Sequence, residues 1–383
     1  MFKLLNKLFL LLVVCFIVTL ITHIAKPSLA TSPVSKPKRL AIYYGWPSIV
    51  NNAQGDVNKA TTELAFFDVI VLGDGIEHPT HGDHAKTKTI IQNLRSQGKE
   101  VFGYIDMGIS PSPPAQNLSI EVAQQYVDEW LNMGVSGIFW DDAGFDFHVS
   151  RERQNTLVNY SHSKGLSVML NAWNPDDVLT GSPTIPFTSS DYCLAESWMV
   201  SQGYPNLYEA LSQWQIRAYK YFNNSKISGV KIAAISSGPN TNQPYTYAWW
   251  GATMYGIDTF GYTNIEYSSY GSEANILRKL NNPSPDLIGN SFLDDQIIKV
   301  SPQQYKRQTD KGVIYVEDNG EKKGYFKTEA PKSYTEQDYI IWKCEFLNNG
   351  HCLNPDSSNQ SDFNHDSTVD LLDFEVWRQN TAL

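Results

Sequence analysis

Val135-Ser136-Gly137-Ile138-Phe139-Trp140-Asp141-Asp142 is an apolar run that stops at two adjacent carboxylates. Its length suits a fully buried β-strand and is too short to span a membrane. Charge at the end of such a strand marks where a sheet meets solvent. In an α/β barrel that rim carries the active site.

Outward from this stretch, a strand-then-helix rhythm repeats in both directions. Strands are predicted before it at Leu40–Tyr44, Asp68–Leu72 and Val101–Ile105. After it they are predicted at Leu166–Leu170, Tyr192–Ala195, Val230–Ile235 and Ile257–Tyr262. Helices are predicted at Val57–Phe67, Lys86–Gln97, Ser119–Met133, Arg151–Lys164, Leu207–Phe222 and Tyr245–Tyr255. Ser119 caps the third of these, Val122, Tyr126, Trp130 and Met133 share its apolar face, and Gly134 stops it. Eight strands alternating with helices over roughly 230 residues predict a (β/α)8 TIM barrel, from 39 to 280. An open doubly wound sheet is the structural rival, but no Gly-rich phosphate fingerprint follows the first strand.

The chain has 383 residues, enough for one large domain and a small one, and its 42% hydrophobic content can fill a core. A net charge of -10 argues against a nucleic-acid partner, which needs a basic face. Lys3 and Lys7 precede an apolar run from Leu8 to Ile21, and Ser28-Leu29-Ala30 has the small residues of a cleavage site. Residues 1–30 therefore read as a signal peptide and 31–38 as a linker. The rival is an uncleaved membrane anchor, for which the run is short against a span of about 20 residues. On either reading the rest is secreted or held at the cell surface. Cys15 leaves with the signal, Cys344 and Cys352 are spaced to pair in an oxidising compartment, and Cys193 reads as a buried thiol.

Three predicted strands end in acids: Asp106, the Asp141/Asp142 pair, and Glu196. Glycosidic cleavage needs two carboxyl groups flanking one bond, and barrel strand ends hold such groups on a common axis. Adjacent residues on a regular strand point to opposite sides, so Asp142 joins Asp141 at the site only if the strand breaks there. Aromatics cluster at the same rim. Tyr44 ends the first strand and Trp46 follows it, Trp173 follows the fifth, Trp198 the sixth, and Tyr262 ends the eighth. With Asp106 these are the expected sugar contacts, whereas Trp140 is expected to pack inside. The Glu77-His78-Pro79-Thr80-His81-Gly82-Asp83-His84 segment matches no zinc spacing and reads as a solvated loop bordering the cleft.

Strand three as Gly103-Tyr104-Ile105-Asp106, strand four as Gly137 to Asp142, and Glu196 after strand six resemble the spherulin-4-like and endo-α-1,4-polygalactosaminidase glycosidase barrels. The resemblance covers roughly Arg39 to Tyr267. It implies hydrolysis of a galactosamine-containing polysaccharide, with Asp141 and Glu196 as the catalytic pair and Asp142 as the second acid of the spherulin-like branch. No cofactor is implied for catalysis. Asp141 takes the role of nucleophile or stabiliser and Glu196 that of acid/base. The alternative is a catalytically silent barrel that binds carbohydrate or attaches to a surface. No nucleophile-elbow serine points to a non-sugar bond.

Past the barrel, residues 281–331 form a small β or linker region, with a hairpin expected from Gly312–Val316 to Gly324–Phe326 across Asp318-Asn319-Gly320. Residues 332–383 hold a calcium-loop signature. Asp362, Asn364, Asp366, Asp370 and Asp373 fall at loop positions 1, 3, 5, 9 and 12, and Thr368 offers its carbonyl at 7. Ser367 replaces the usual Gly and Asp373 the usual Glu. Asp373-Phe374-Glu375-Val376-Trp377-Arg378 also repeats Asp338-Tyr339-Ile340-Ile341-Trp342-Lys343. The second half resembles a dockerin, an EF-hand-type helical module, and the first half has Lys327 and Pro331 where ligands belong. A module with one calcium site either meets a cohesin-like partner or packs within its own chain.

Overall fold

The computed structural model describes residues 33–73, 75–264, 275–284, 288–294, 296–328, 336–347, 361, 369 and 371–380. The expected signal peptide lies outside them. Among the described residues no helix is long and apolar enough to cross a membrane.

Eight strands close into a (β/α)8 barrel: β1 (Lys38–Tyr43), β2 (Val69–Leu72), β3 (Glu100–Asp106), β4 (Gly137–Asp141), β5 (Ser167–Asn171), β6 (Tyr192–Ala195), β7 (Lys231–Ser237) and β8 (Thr259–Thr263). Each pairs in parallel with the next, and β8 returns to β1 through Lys38 opposite Thr259. The helices between them are α1 (Val57–Leu64), α2 (His84–Ser96), α3 (Ile120–Met133), α4 (Arg151–Ser163), α5 (Asp176–Leu179), α6 (Leu211–Ser228) and α7 (Asn242–Met254). Asp56, Ser119 and Ser150 cap α1, α3 and α4 by accepting backbone N–H bonds at the helix start.

Strand alternation divides the core in two. Ile42, Val71, Phe102, Phe139, Met169 and Leu194 fill the barrel interior. Their sequence neighbours, such as Ile138, Trp140, Val168 and Leu170, face the helices. Trp140 accordingly packs outward, its Nε1 donating to Ser161 Oγ. Gly103 is the opening through which α3 approaches β3. A Cβ there would lie 2.1 Å from the Trp130 indole.

A helix face and a helix start differ from expectation for local reasons. The buried face of α3 is Ala123, Val127, Trp130 and Met133, with Val122 and Tyr126 on its flank. Helix α6 begins at Leu211 rather than Leu207 because Leu207 sits at φ 64°, outside the right-handed helical region.

Beyond the barrel lies an antiparallel sheet ordered β12-β11-β10-β9, built from β9 (Ile298–Ser301), β10 (Gln304–Thr309), β11 (Gly312–Asp318) and β12 (Lys322–Thr328). The β11–β12 hairpin was expected; β9 and β10 were not. On β10 the buried positions are Tyr305, Arg307 and Thr309, so no apolar alternation announces a strand. The sheet lies on α7, where Gly324 sits against Trp250 and the Phe326 ring stacks on Trp250 at 6.3 Å. Arg307 pins it further, donating to the Met254 carbonyl and lying 3.5 Å from the Phe292 ring centroid.

Helices α8 (Glu336–Leu347) and α9 (Leu371–Asn380) carry the internal repeat. Tyr339 meets Trp377 at 4.8 Å, and Trp342 meets Phe374 at 4.8 Å. Tyr339 also meets Phe374, its counterpart in the repeat, at 5.8 Å. Cys344 is disulfide-bonded to a partner outside the described residues, while Cys193 is a buried free thiol. Of the calcium-loop residues, Asp373 is described and is fully buried; Asp362, Asn364, Asp366, Thr368 and Asp370 lie outside the described residues.

Truncating the fully packed Trp250 to Ala should loosen the sheet from the barrel and cost about 3–5 kcal/mol. Urea unfolding of Trp250→Ala beside the parent measures it.

Candidate active site

The interior alternation fixes which rim residues converge. Stepping two residues from Phe102, Phe139, Met169 and Leu194 reaches Tyr104, then Asp106, on β3, Asp141 on β4, Asn171 on β5, and Glu196 just past β6. All lie at the C-terminal mouth of the barrel. Tyr44, partly buried, continues the same row from β1 and meets Tyr104 edge-on at 5.3 Å.

Asn171 joins the two principal acids. Its Nδ2 donates to Asp141 Oδ1 at 2.8 Å and to Glu196 Oε2 at 3.0 Å. Two oxygens sharing one nitrogen can be no farther apart than those bonds laid end to end, about 5.8 Å. Asp141 Oδ1 also accepts the Asp142 N–H at 3.0 Å.

Asp142 stands at φ 50°, so the chain turns sharply where β4 ends. That break is what brings a second carboxyl from the same strand to the mouth. Burial and the repelling charges of Asp141, Asp106, Glu196 and Asp146 push its pKa up to about 8. Burial, then the charge of Glu196, pushes Asp141 up to about 6, against the lowering effect of its hydrogen bonds from Asn171 and Asp142.

Asp106 is committed to holding a loop. Its Oδ1 accepts the Gly108 N–H at 2.7 Å and its Oδ2 the Gln116 N–H at 2.5 Å. Arg153 holds the same segment from α4, donating to the carbonyls of Met107 and Leu118 at 2.8 and 2.7 Å. Both carboxylate oxygens of Asp106, expected as a sugar contact, accept main-chain N–H bonds, so the residue anchors the wall beside Asp142.

The aromatics divide. Trp46 and Trp173 are about half exposed at the rim, 48% and 53%, and offer ring faces. Trp46 leans on His81 at 5.1 Å, and the Arg217 guanidinium lies 5.0 Å from the Trp173 centroid. Trp198 is not a sugar contact but core: it is 1% exposed, its Nε1 donates to the Ala248 carbonyl, and Trp214 and Tyr255 flank it. Tyr262 is likewise buried, its hydroxyl donating to the Pro239 carbonyl.

The histidine-rich loop is more tightly built than a solvated loop. Asp83 is buried and accepts from the Ser48 N–H and Thr87 hydroxyl, and His78 meets Glu129 at 2.5 Å. Among the described residues no group of His, Cys, Asp or Glu is arranged to hold a metal ion.

Sequence reasoning overlooked Asn171 because it sought charge, although the two-residue step from Met169 identifies it. Arg153 and Arg217 left no comparable signal, since their helices are separated in sequence from the loops they hold.

No family model matches the chain, and no curated protein matches it. Solved structures with similar folds include glycoside hydrolase barrels. The glycoside hydrolase domain of PelA from Pseudomonas aeruginosa is 15% identical, with 63% of this chain and 100% of that one covered and a TM-score of 0.40. That of PgaB (BpsB) from Bordetella bronchiseptica is 11% identical, with 62% and 97% covered and a TM-score of 0.40. Alpha-galactosidase I from Mortierella vinacea is 11% identical, with 76% and 83% covered and a TM-score of 0.47. An HpcH/HpaI aldolase matches as well. At such identities these likenesses say nothing of the chemistry.

The raised acids bear on stability. An acid whose pKa is higher in the folded than in the unfolded chain makes the folded state bind more protons, so stability is greatest at low pH and falls as pH rises. The window runs from the ordinary Asp value of 3.8 to the raised value of about 8. The melting temperature should fall across that window, and Asp142→Asn should flatten the slope and raise the melting point at pH 8. Calorimetry at a series of pH values checks both.

Proposed function

We propose that the protein is an exported glycoside hydrolase that cleaves a galactosamine-containing polysaccharide by a two-carboxylate mechanism. The observation that carries this reading is the single Asn171 nitrogen bonded to both Asp141 and Glu196. Retaining enzymes place their carboxyls about 5–5.5 Å apart and inverting ones about 6.5–9.5 Å. The bound of about 5.8 Å on the two bridged oxygens favours retention.

Asp141 attacks the anomeric carbon as a carboxylate while Glu196 gives its proton to the departing glycosidic oxygen. Glu196 then takes a proton from water, which displaces Asp141 and restores both groups. Asn171 orients the pair throughout. Asp142, holding its proton at neutral pH, adds a hydrogen-bond donor at the mouth without a further full charge. The remaining acids make the mouth anionic, which suits the ammonium group of an unacetylated amino sugar. Trp46 and Trp173 offer faces for sugar rings. A silent binding barrel would gain nothing from holding two carboxylates together in a poorly solvated mouth, where their repulsion is costly.

Export is supported by the N-terminal pattern and by the disulfide at Cys344, which suits an oxidising compartment. For the C-terminal module, Asp362, Asn364, Asp366, Asp370, Asp373 and the Thr368 carbonyl supply the hard oxygen donors calcium prefers. Calcium would act there as a structural ion, and burial of Asp373 in the first turn of α9 is consistent with a ligand position.

Amino-sugar polysaccharides should release reducing ends with the parent enzyme, and the first product should keep the anomeric configuration of the substrate by NMR. Asp141→Asn and Glu196→Gln should each lower kcat at least about 100-fold while leaving the circular-dichroism spectrum intact. Full activity in either variant, or no release from any such polymer, defeats the reading. Separately, EDTA should lower the melting temperature and added calcium restore it, a stabilisation of about 2.7 kcal/mol when calcium is at 100 times its dissociation constant.

A further inference from the structure

Arg217 of α6 is buried beneath the rim, and the hydrolytic steps do not call on it. Its Nη1 donates to the Glu196 carbonyl and its Nη2 to the Ser197 carbonyl, both at 2.7 Å. These are the first carbonyls beyond β6. The chain is strained there: Ser197 and Met199 sit at φ 52° and 57°, a region that side chains rarely adopt. Nη2 also reaches Glu209 at 2.6 Å and the Tyr204 hydroxyl at 3.2 Å, and the Tyr204 hydroxyl itself donates to the Ser197 carbonyl at 2.9 Å. The side chains of Arg217 and Glu209 are 10% and 9% exposed, so each neutralises the other out of water. The same guanidinium lies 5.0 Å from the centre of the Trp173 ring, which stays 53% exposed.

One buried ion pair therefore fixes both the backbone from which Glu196 hangs and the indole that faces the cleft beside it. We propose that Arg217, held by Glu209, is a positioning residue that sets Glu196 and the Trp173 face in one register, so that a sugar stacked on Trp173 presents its linkage to Glu196. This rests on the hydrolase reading. A lysine cannot replace the fork, because one ammonium cannot serve two carbonyls, a carboxylate and an indole face together.

The test uses the full chain with Arg217→Lys, Glu209→Gln, Trp173→Ala and the Arg217→Lys/Trp173→Ala double variant. Arg217→Lys should lower kcat about 10- to 100-fold, the scale of a misplaced catalytic group. Trp173→Ala should act mainly on KM. In the double variant the Trp173→Ala penalty should shrink, because the platform has already left its register. Glu209→Gln, which keeps the guanidinium, should reproduce the pattern more weakly. An unchanged kcat in Arg217→Lys, or penalties that simply multiply, overturns the proposal. Hydrogen exchange needs no substrate: amides in 196–204 should exchange about tenfold faster in Arg217→Lys while the barrel strands stay protected. If the parent cleaves no polysaccharide the hydrolase reading fails, and unchanged exchange in this segment refutes the clamp on its own.

Discussion

Asn171 sits between two carboxylates at the C-terminal mouth of the barrel, and the rest of the site depends on that contact. Like charges this close repel strongly where water is scarce. A cation would quench them by pairing. An amide offers each acid one hydrogen bond and brings no net charge, so the two are held at a defined spacing and remain able to exchange protons. The upward shift of Asp141 follows from the same balance: burial and the charge of Glu196 outweigh the hydrogen bonds of Asn171 and Asp142.

That spacing is enforced from below and from the sides. Closure of the barrel sets the parity that sends Asp141, Asn171 and Glu196 to one mouth. On the β3 side, Asp106 and Arg153 tie down the segment from Met107 to Leu118 with bonds to backbone groups. On the β6 side, Arg217 does the same for Glu196 and Ser197. Buried charges thus brace both flanking loops through bonds to the main chain.

Much of this was legible in the sequence because it follows from period. An apolar run of six residues ending in Asp141-Asp142 identifies a strand and its rim, and the strand–helix rhythm identifies the barrel. What period cannot reveal is the environment of an aromatic in a loop. Trp46, Trp173 and Trp198 look alike as rim residues, yet the turn after Glu196 folds Trp198 inward against Trp214 and Tyr255. Tyr262 was misread because its hydroxyl finds a carbonyl inside the protein. Strand β10 was hidden for the opposite reason: Arg307 occupies a core position by stacking on Phe292 and donating to Met254, so a buried residue carries a charge.

Left-handed backbone at the rim completes the picture. Asp142, Ser197 and Met199 all have positive φ, and they follow the two strands that bear Asp141 and Glu196. On a regular extension of β4, Asp142 would face the helices, where an acid has no partner among apolar side chains. The turn instead delivers it to the mouth, where burial and neighbouring charge keep it protonated at neutral pH. The backbone accepts a sparsely populated conformation, and a third carboxyl thereby arrives as a neutral donor beside Asp141 and Glu196. Such strain persists only where the surroundings over-determine it. Here the closed barrel below, Arg217 on one loop and the Asp106-bound segment on the other supply that constraint for Asp142 and Ser197.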